Sequence, residues 1–400
     1  MAIIEGDDGD NTLEGVADEN NEILGFGGHD TLIGANLDDT IRGGDGNDLI
    51  LPGPGSDTVF GEGGDDVIDL NGSVEGDTNQ VSGGEGTDII YAGAGSDIID
   101  GGDGIDLVSY EFATDAVVVL LGDGIFDFGA AGDVLTTVES LFGSEFDDIL
   151  AGDGGENAIN GGAGNDLIAG YGGSDILDGG DGLDLIAFVQ GAVRVDLAAG
   201  TCSGADAEGV TYTGFEGVYA SPFDDRVSGD DGRNTLLGQE GDDKLHGRDG
   251  NDEIIGGIGD DSLLGGDGRD SLSGEDGDDR MLGGAGRDRQ TGGGGADRFE
   301  FRALSDSGRP VAERDTIVDF SRKDGDSILL SRIDANDGRR GDQAFDFIGQ
   351  DRFGGEDGEL RYKKAGDHLT LLGDVDGDGR ADLAVDVYGV GRMLAGDFVL

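Results

Sequence analysis

The stretch that decides the fold runs from Ala220 to Glu300 and divides into nine consecutive nine-residue units without a gap. Four of them read GRDGNDEII (Gly247 to Ile255), GGIGDDSLL (Gly256 to Leu264), GGDGRDSLS (Gly265 to Ser273) and GEDGDDRML (Gly274 to Leu282). Position six is Asp, position eight is apolar, and positions one and four are mostly Gly. Glycines at positions one, two and four predict backbone with φ > 0, hence a six-residue turn. The remaining x-apolar-x suits a short strand with its central side chain on one face. One unit cannot bury its single apolar residue, but stacked units can, because position eight then forms inward columns. Here the column reads Val227, Leu236, Leu245, Ile254, Leu263, Leu272, Met281, Gln290 and Phe299. Gln290 is the misfit, so the penultimate rung is expected to be imperfect.

The turns carry the chemistry. Glycine leaves their carbonyl oxygens uncrowded, and nearly every turn adds a carboxylate. Carbonyl and carboxylate oxygens are hard ligands that suit Ca²⁺. Stacked Asp residues without a cation would repel one another, so metal and fold are expected to be coupled. Across the chain there are 24 such units; 20 have Asp at position six and 23 are apolar at position eight. A disordered Gly/Asp-rich tail predicts no such phase-locking, although disorder is expected when calcium is withheld. The candidate metal ligands are Asp30, Asp39, Asp48, Asp57, Asp66, Asp88, Asp97, Asp106, Asp148, Asp166, Asp175, Asp184, Asp225, Asp243, Asp252, Asp261, Asp270, Asp279, Asp288 and Asp297. The four exceptions at position six are Asn11, Asn79, Asn157 and Asn234.

GGDGNDLIL (Gly43 to Leu51) and GGAGNDLIA (Gly161 to Ala169) match G-G-x-G-x-D-x-U-x, the calcium-binding nonapeptide of RTX proteins, at every specified position. The chain thus resembles the RTX (hemolysin-type calcium-binding repeat) family. The resemblance implies an all-β, right-handed parallel β-roll, with two nonamers per coil and Ca²⁺ between successive turns on the same side. If a run of n units holds n − 2 ions, the separate runs hold about 14 ions and a continuous roll about 22.

Composition agrees. The 400 residues include 84 Gly, 4 Pro and no Trp, with a formal net charge of −63. That charge argues against nucleic acid or an anionic membrane as partner, and for a cation. It is uneven: only Arg42 and Arg194 are basic before Arg226. Basic residues at turn positions of the last run (Arg233, Arg248, Arg269, Arg287) are expected to ease acidic repulsion, so that run should fold at lower calcium than Gly25 to Asp69. The single cysteine, Cys202, excludes an intramolecular disulfide. The N-terminus MAIIEGDDGDN lacks the features of a Sec-type signal peptide, and the longest aliphatic run, Ala116 to Leu121, is too short for a transmembrane segment.

In chain order, residues 1–24 are degenerate starting repeats. A first β-roll block spans 25–109, a β insert 110–142, and a second block 143–187. A further insert spans 188–219, the third block 220–300, and a C-terminal cap 301–400. The inserts read as duplicates: SEFDD (Ser144 to Asp148) recurs 77 residues later as SPFDD (Ser221 to Asp225). The units with Asn11, Asn157 and Asn234 share GDxGxN and read as starting turns. Short strands are expected in the last segment at DTIVDF (Asp315 to Phe320), SILLS (Ser327 to Ser331), FDFI (Phe345 to Ile348), ELRY (Glu359 to Tyr362), HLTLL (His368 to Leu372) and ADLAVDV (Ala381 to Val387).

That segment resembles the C-terminal region of serralysin-type secreted metalloproteases, through GGGGADRFEF (Gly292 to Phe301), DTIVDF, GDVDGDGRADLAV (Gly373 to Val385) and the terminal GDFVL (Gly396 to Leu400). The resemblance implies an uncleaved C-terminal signal for bacterial type I secretion, and so a secreted, extracellular protein. DVDGDGRAD (Asp374 to Asp382) also has the start of an EF-type calcium loop, but its twelfth position is Val385 where that loop needs Glu. A tight acidic turn is the simpler expectation.

No catalytic pattern accompanies these features. His29, His246 and His368 belong to no His-Glu-x-x-His, no G-x-S-x-G occurs, and no Lys follows Gly as a P-loop requires. The expected function is therefore that of a secreted calcium-binding protein that folds on meeting extracellular Ca²⁺, with a structural, adhesive or surface-associated role. A cell-surface or polysaccharide target fits that role. The alternative is the export-and-folding module of an exoenzyme or toxin. Repeats beginning at Gly6 favour the first.

Overall fold

The computed structural model describes residues 1–122, 132–336 and 343–400. Two compact units emerge: Met1–Ala187 with Asp206–Phe215, and Phe188–Ala205 with Glu216–Leu400. In both, the strands come from the ends of the nonamers and are joined by glycine turns. Consecutive strands enter different sheets, so sheet neighbours are two units apart in sequence. Ile41 of Thr40–Asp45 lies beside Val59 of Thr58–Gly63 in parallel register. This is a parallel β-roll.

In the first unit one wall has seven strands, from Ala2–Glu5 to Val134–Thr136, and another has ten, from Thr12–Glu14 to Thr211–Thr213. Residues 110–122 and 132–142 show how the wall changes partner. The seven-stranded wall ends at Val134–Thr136, and a new one starts at Val118–Leu120 beside Ile149–Ala151. The ten-stranded wall passes straight through at Ser140–Phe142, which bridges Leu107–Ser109 and Ala158–Asn160. Ile23, Ile41, Val59, Val81, Ile99 and Leu135 stand in register and are all buried. A continuous file of β-branched and aliphatic side chains is what a parallel sheet covered on its inner face requires. Each contributes roughly 1.5–3 kcal/mol of burial.

In the second unit Val193–Asp196 pairs antiparallel with Thr201–Gly204 and parallel with Arg226–Ser228. That wall continues through Lys244–Gly250, Ser262–Gly268, Arg280–Gly286 and Arg298–Glu300. The other wall runs from Gly217–Tyr219 to Arg289–Gly294. All nine position-eight residues from Val227 to Phe299 are buried. Gln290 is fully buried with both amide atoms unpaired, the imperfect rung expected from the sequence.

The C-terminal segment does more than cover the end. It extends both walls: Thr316–Ile317 and Leu383–Val387 continue one, Ser327–Leu329 and Phe398–Val399 the other. Only then does the pairing turn antiparallel, through His368–Asp374 and Glu359–Ala365. The terminal strand is pinned by Arg322, whose Nε and Nη2 donate to the two carboxylate oxygens of buried Asp397 at 2.6 Å each.

One expectation about glycine needs correction. Positions two and four do take positive φ, as at Gly44 (+109°) and Gly46 (+131°). Position one does not; at Gly43 a Cβ would instead lie 2.2 Å from Asp48 Oδ2 and 2.7 Å from the carbonyl oxygen of Gly61 in the next coil. Glycine is needed there for space.

Candidate metal centre

Position six is the last residue of the turn, and the strand that follows fixes its side chain inward. All twenty candidate Asp residues are buried. Their Oδ1 atoms form files. The N–H of Asp30 donates to Asp48 Oδ1 (2.7 Å), that of Asp48 to Asp66 (2.7 Å), Asp66 to Asp88 (2.8 Å) and Asp88 to Asp106 (2.8 Å). A second file passes from Asp39 through Asp57, Asn79 and Asp97. Asp148, Asp166 and Asp184 are linked in the same way, as are Asn157 and Asp175. In the second unit one file runs Asp225, Asp243, Asp261, Asp279, Asp297, and another Asn234, Asp252, Asp270, Asp288.

The second oxygen is left over. Oδ2 accepts no hydrogen bond in Asp30, Asp48, Asp57, Asp66, Asp88, Asp97, Asp106, Asp166, Asp175, Asp243, Asp252, Asp261, Asp270, Asp279, Asp288 and Asp297. It sits beside the position-one glycine, as does a carbonyl oxygen from one coil on. At Gly83 a Cβ would meet Asp88 Oδ2 at 2.1 Å and Gly101 O at 2.4 Å; at Gly265, Asp270 Oδ2 at 2.3 Å and Gly283 O at 2.4 Å. Anionic and carbonyl oxygens thus converge on a space that a methyl group would fill.

Asp39, Asp148 and Asp225 differ. Their Oδ2 atoms already accept the N–H of Ala35, Ser144 and Ser221, at 2.7, 2.5 and 2.7 Å. Asn11, Asn157 and Asn234 close their own turns likewise, Oδ1 accepting the N–H of Asp7, Asp153 and Asp230. An amide does this without adding charge.

Burial dominates the electrostatics. It pushes the carboxyls of Asp57, Asp66, Asp243, Asp261, Asp279, Asp288 and Asp297 up to about 7. Those of Asp88, Asp97, Asp166, Asp175, Asp252 and Asp270 rise to about 6. The backbone N–H bonds pull the other way without cancelling the rise, and neighbouring carboxylates mostly add to it. Buried anionic oxygens with no donor, beside free carbonyls, fit a hard divalent cation.

Among the described residues, sequence reading missed Asn21, whose N–H donates to Asp39 Oδ1 at the head of the second file, and four acceptors. Asp97 donates to Asp133 Oδ1, Asp106 to Glu139 Oε2, Asp288 to Asp315 Oδ1 and Asp297 to Asp326 Oδ1. Asp315 is the extreme case, its Oδ2 unpaired and its carboxyl pushed up to about 9, first by burial and then by Asp288. The intervals here are 36, 33, 27 and 29 residues, not 18, so a fixed period passes over them. The signal that remains is the acid-x-apolar ending: Asp133-Val-Leu135, Glu139-Ser-Leu141, Asp315-Thr-Ile317 and Asp326-Ser-Ile328.

Elsewhere, carboxylate oxygens of Asp374, Asp376 and Asp382 lie within 4.8 Å of one another. Asp374 accepts the N–H groups of Gly377 and Gly379, and Asp382 that of Val375, so backbone donors hold this acidic turn. Burial pushes the Cys202 thiol up to about 11, away from thiolate chemistry.

The RTX calcium-binding nonapeptide repeat family matches residues 5–41, 24–59, 42–72, 75–108, 137–168, 151–186 and 219–254. Each of those segments carries the files just described. The chain is an RTX-repeat protein. Residues 240–400 match the serralysin C-terminal family of peptidase M10. Together these make it a secreted RTX protein that binds several calcium ions. Among solved structures, a subunit of the mannuronan C5-epimerase of Azotobacter vinelandii is 25% identical, covering 44% of this chain and 78% of that one, with a TM-score of 0.20. The extracellular lipase of Serratia marcescens is 17% identical, covering 65% of this chain and 39% of that one, with a TM-score of 0.19. No curated protein matches the chain. Among the described residues, no helix is long and apolar enough to cross a membrane.

Proposed function

We infer that this RTX protein is a calcium-assembled structural or adhesive element, exported unfolded by a type I machine and folded outside the cell. The observation that carries the reading is the file of buried Asp Oδ2 atoms without donors, repeated coil after coil. Bound Ca²⁺ supplies the positive charge these oxygens lack. Sixteen of the twenty candidates would hold ions through Oδ2; Asp39, Asp148 and Asp225 are the weaker members because their oxygens are already engaged. Asp315 joins the set at the C-terminal end.

The chain's own part is to hold oxygens in register and to bury the apolar column once repulsion is relieved. Extracellular calcium modules work at weak affinities, so folding would wait for the calcium-rich exterior. No catalytic role is proposed. The serralysin-type match over 240–400 supports a second reading, in which the chain serves the export and folding of an exoenzyme. Circular dichroism during a calcium titration at pH 8 tests the main reading. A cooperative gain of β signal is expected, and equal β signal in excess chelator would overturn it.

A further inference from the structure

One outward face of the second unit contradicts the charge of the chain. In the wall that begins at Val193–Asp196, the residue just after position six points to solvent. The register places Arg194 beside Arg226, then Lys244, Ser262, Arg280 and Arg298 on successive strands. Five of these six rungs are basic and exposed, in a chain with only 25 Lys and Arg against 88 acids. Equivalent columns elsewhere are not basic: Glu22, Thr40, Thr58, Gln80 and Ile98 align in the first unit.

The second outward column of the same face holds two acids, and both are engaged. Asp196 is bound by Arg248 at 2.7 Å, and Glu300 by Arg280 at 2.6 Å and Arg302 at 3.1 Å. Arg280 therefore spends its charge locally, while no ion pair is formed by Arg194, Arg226, Lys244 or Arg298 among the described residues. Along one edge of the stripe runs a rail of exposed turn acids, Asp242 donating its N–H to Asp224, Asp260 to Asp242 and Asp278 to Asp260. The cationic strip is thus one side chain wide, with a rung every ~4.8 Å and about 24 Å over six strands.

We propose that this ladder is a docking track for a linear anionic polysaccharide, bearing carboxylate or sulfate groups, that lies across the strands. The proposal rests on the adhesive reading and gives it a ligand class. Width decides between polyanions. A single extended chain meets the cations alone, whereas a membrane or a nucleic acid duplex is wide enough to meet the acidic rail and the rest of a −63 surface.

The test is calorimetric titration of the calcium-saturated full chain with short dextran sulfate, oligogalacturonate and neutral dextran. The double variant Arg226→Glu/Lys244→Glu should lose at least tenfold in affinity for whichever anionic chain binds, and wild-type binding should weaken with salt. Arg226→Gln/Lys244→Gln serves if charge reversal disturbs folding, with a smaller loss in the same direction. Equal affinity of variant and wild type would show that the arginines only offset the acidic rail, and the proposal falls. Equal binding of neutral dextran, or tighter binding of duplex DNA or anionic vesicles, also overturns it. Calcium-induced β signal is read on every sample: a chain that fails to fold in calcium counts against the earlier reading, and a folded chain indifferent to polyanion counts against the ladder alone.

Discussion

Protons should substitute for calcium. Thirteen buried carboxyls have folded values raised from 3.8 to about 6 or 7. A raised folded value means the stability these groups allow is fully present below the unfolded value, near 4, and is lost as pH rises through 6 to 7. At about 1.4 kcal/mol per unit, a rise of two to three units costs roughly 3–4 kcal/mol per ionised group, or about 2 kcal/mol after halving for solvent screening. Over thirteen groups the metal-free coil is destabilised at pH 8 by on the order of 20 kcal/mol, more than the 5–15 kcal/mol by which domains are usually stable. The chain in chelator should therefore be unfolded at pH 8 and gain β structure near pH 5, which stays clear of the pI of about 4.1. Circular dichroism in chelator across this range reads the transition. Calcium added at pH 6 in weak buffer should release protons. A metal-free chain equally unstructured at pH 5 and pH 8, with a calcium midpoint independent of pH, would refute the reasoning.

Replacing Gln290 by Leu removes two unpaired polar atoms from the apolar column and should stabilise the calcium-loaded chain by roughly 1–3 kcal/mol, read as a higher melting temperature. Asp261→Asn keeps an acceptor for the Asp243 N–H but not the carboxylate charge, so native mass spectrometry should count one calcium fewer and the folding midpoint should move to higher calcium. At Gly268 a Cβ would fall 1.5 Å from the Gly250 carbonyl oxygen, so Gly268→Ala should cost several kcal/mol, whereas Gly154→Ala, with nothing within 4 Å, should change melting by little.

The period of nine was enough to place the inward column and the buried acids, because both follow from strand alternation inside a single unit. Val227 through Phe299 and the twenty Asp residues needed no long-range information. What the period could not reveal depends on the neighbouring coil. Position one is glycine because of an oxygen eighteen residues on, as Gly43 and Gly61 show. The satisfied state of Asp39, Asp148 and Asp225 depends on which N–H the local turn presents. Asp315 and Asp326 escaped because insertions of unequal length separate them from the acids they follow. The basic ladder was not legible in the sequence, whose turn-position arginines (Arg233, Arg248, Arg269, Arg287) are not its members; it emerged when register brought Arg194, Arg226 and Lys244 side by side.

The hydrogen bonds that link the buried position-six acids point one way, and those of the exposed rail point the other. Along the files described above, the position-six N–H is received by a carboxylate or amide further along the chain. The last donors of the third block, Asp288 and Asp297, are received by Asp315 and Asp326 in the serralysin-type segment. Each buried file is therefore polar, with donors toward one end and acceptors toward the other. A seed at the C-terminal segment offers the buried position-six N–H of each incoming coil an acceptor already in place, whereas a seed at the N-terminus offers its side-chain acceptors on the exposed rail, as Asp224 does to Asp242. For the buried files, assembly against the numbering of the chain forms each bond on an acceptor already placed, and the segment that resembles an export region would then serve also as their primer.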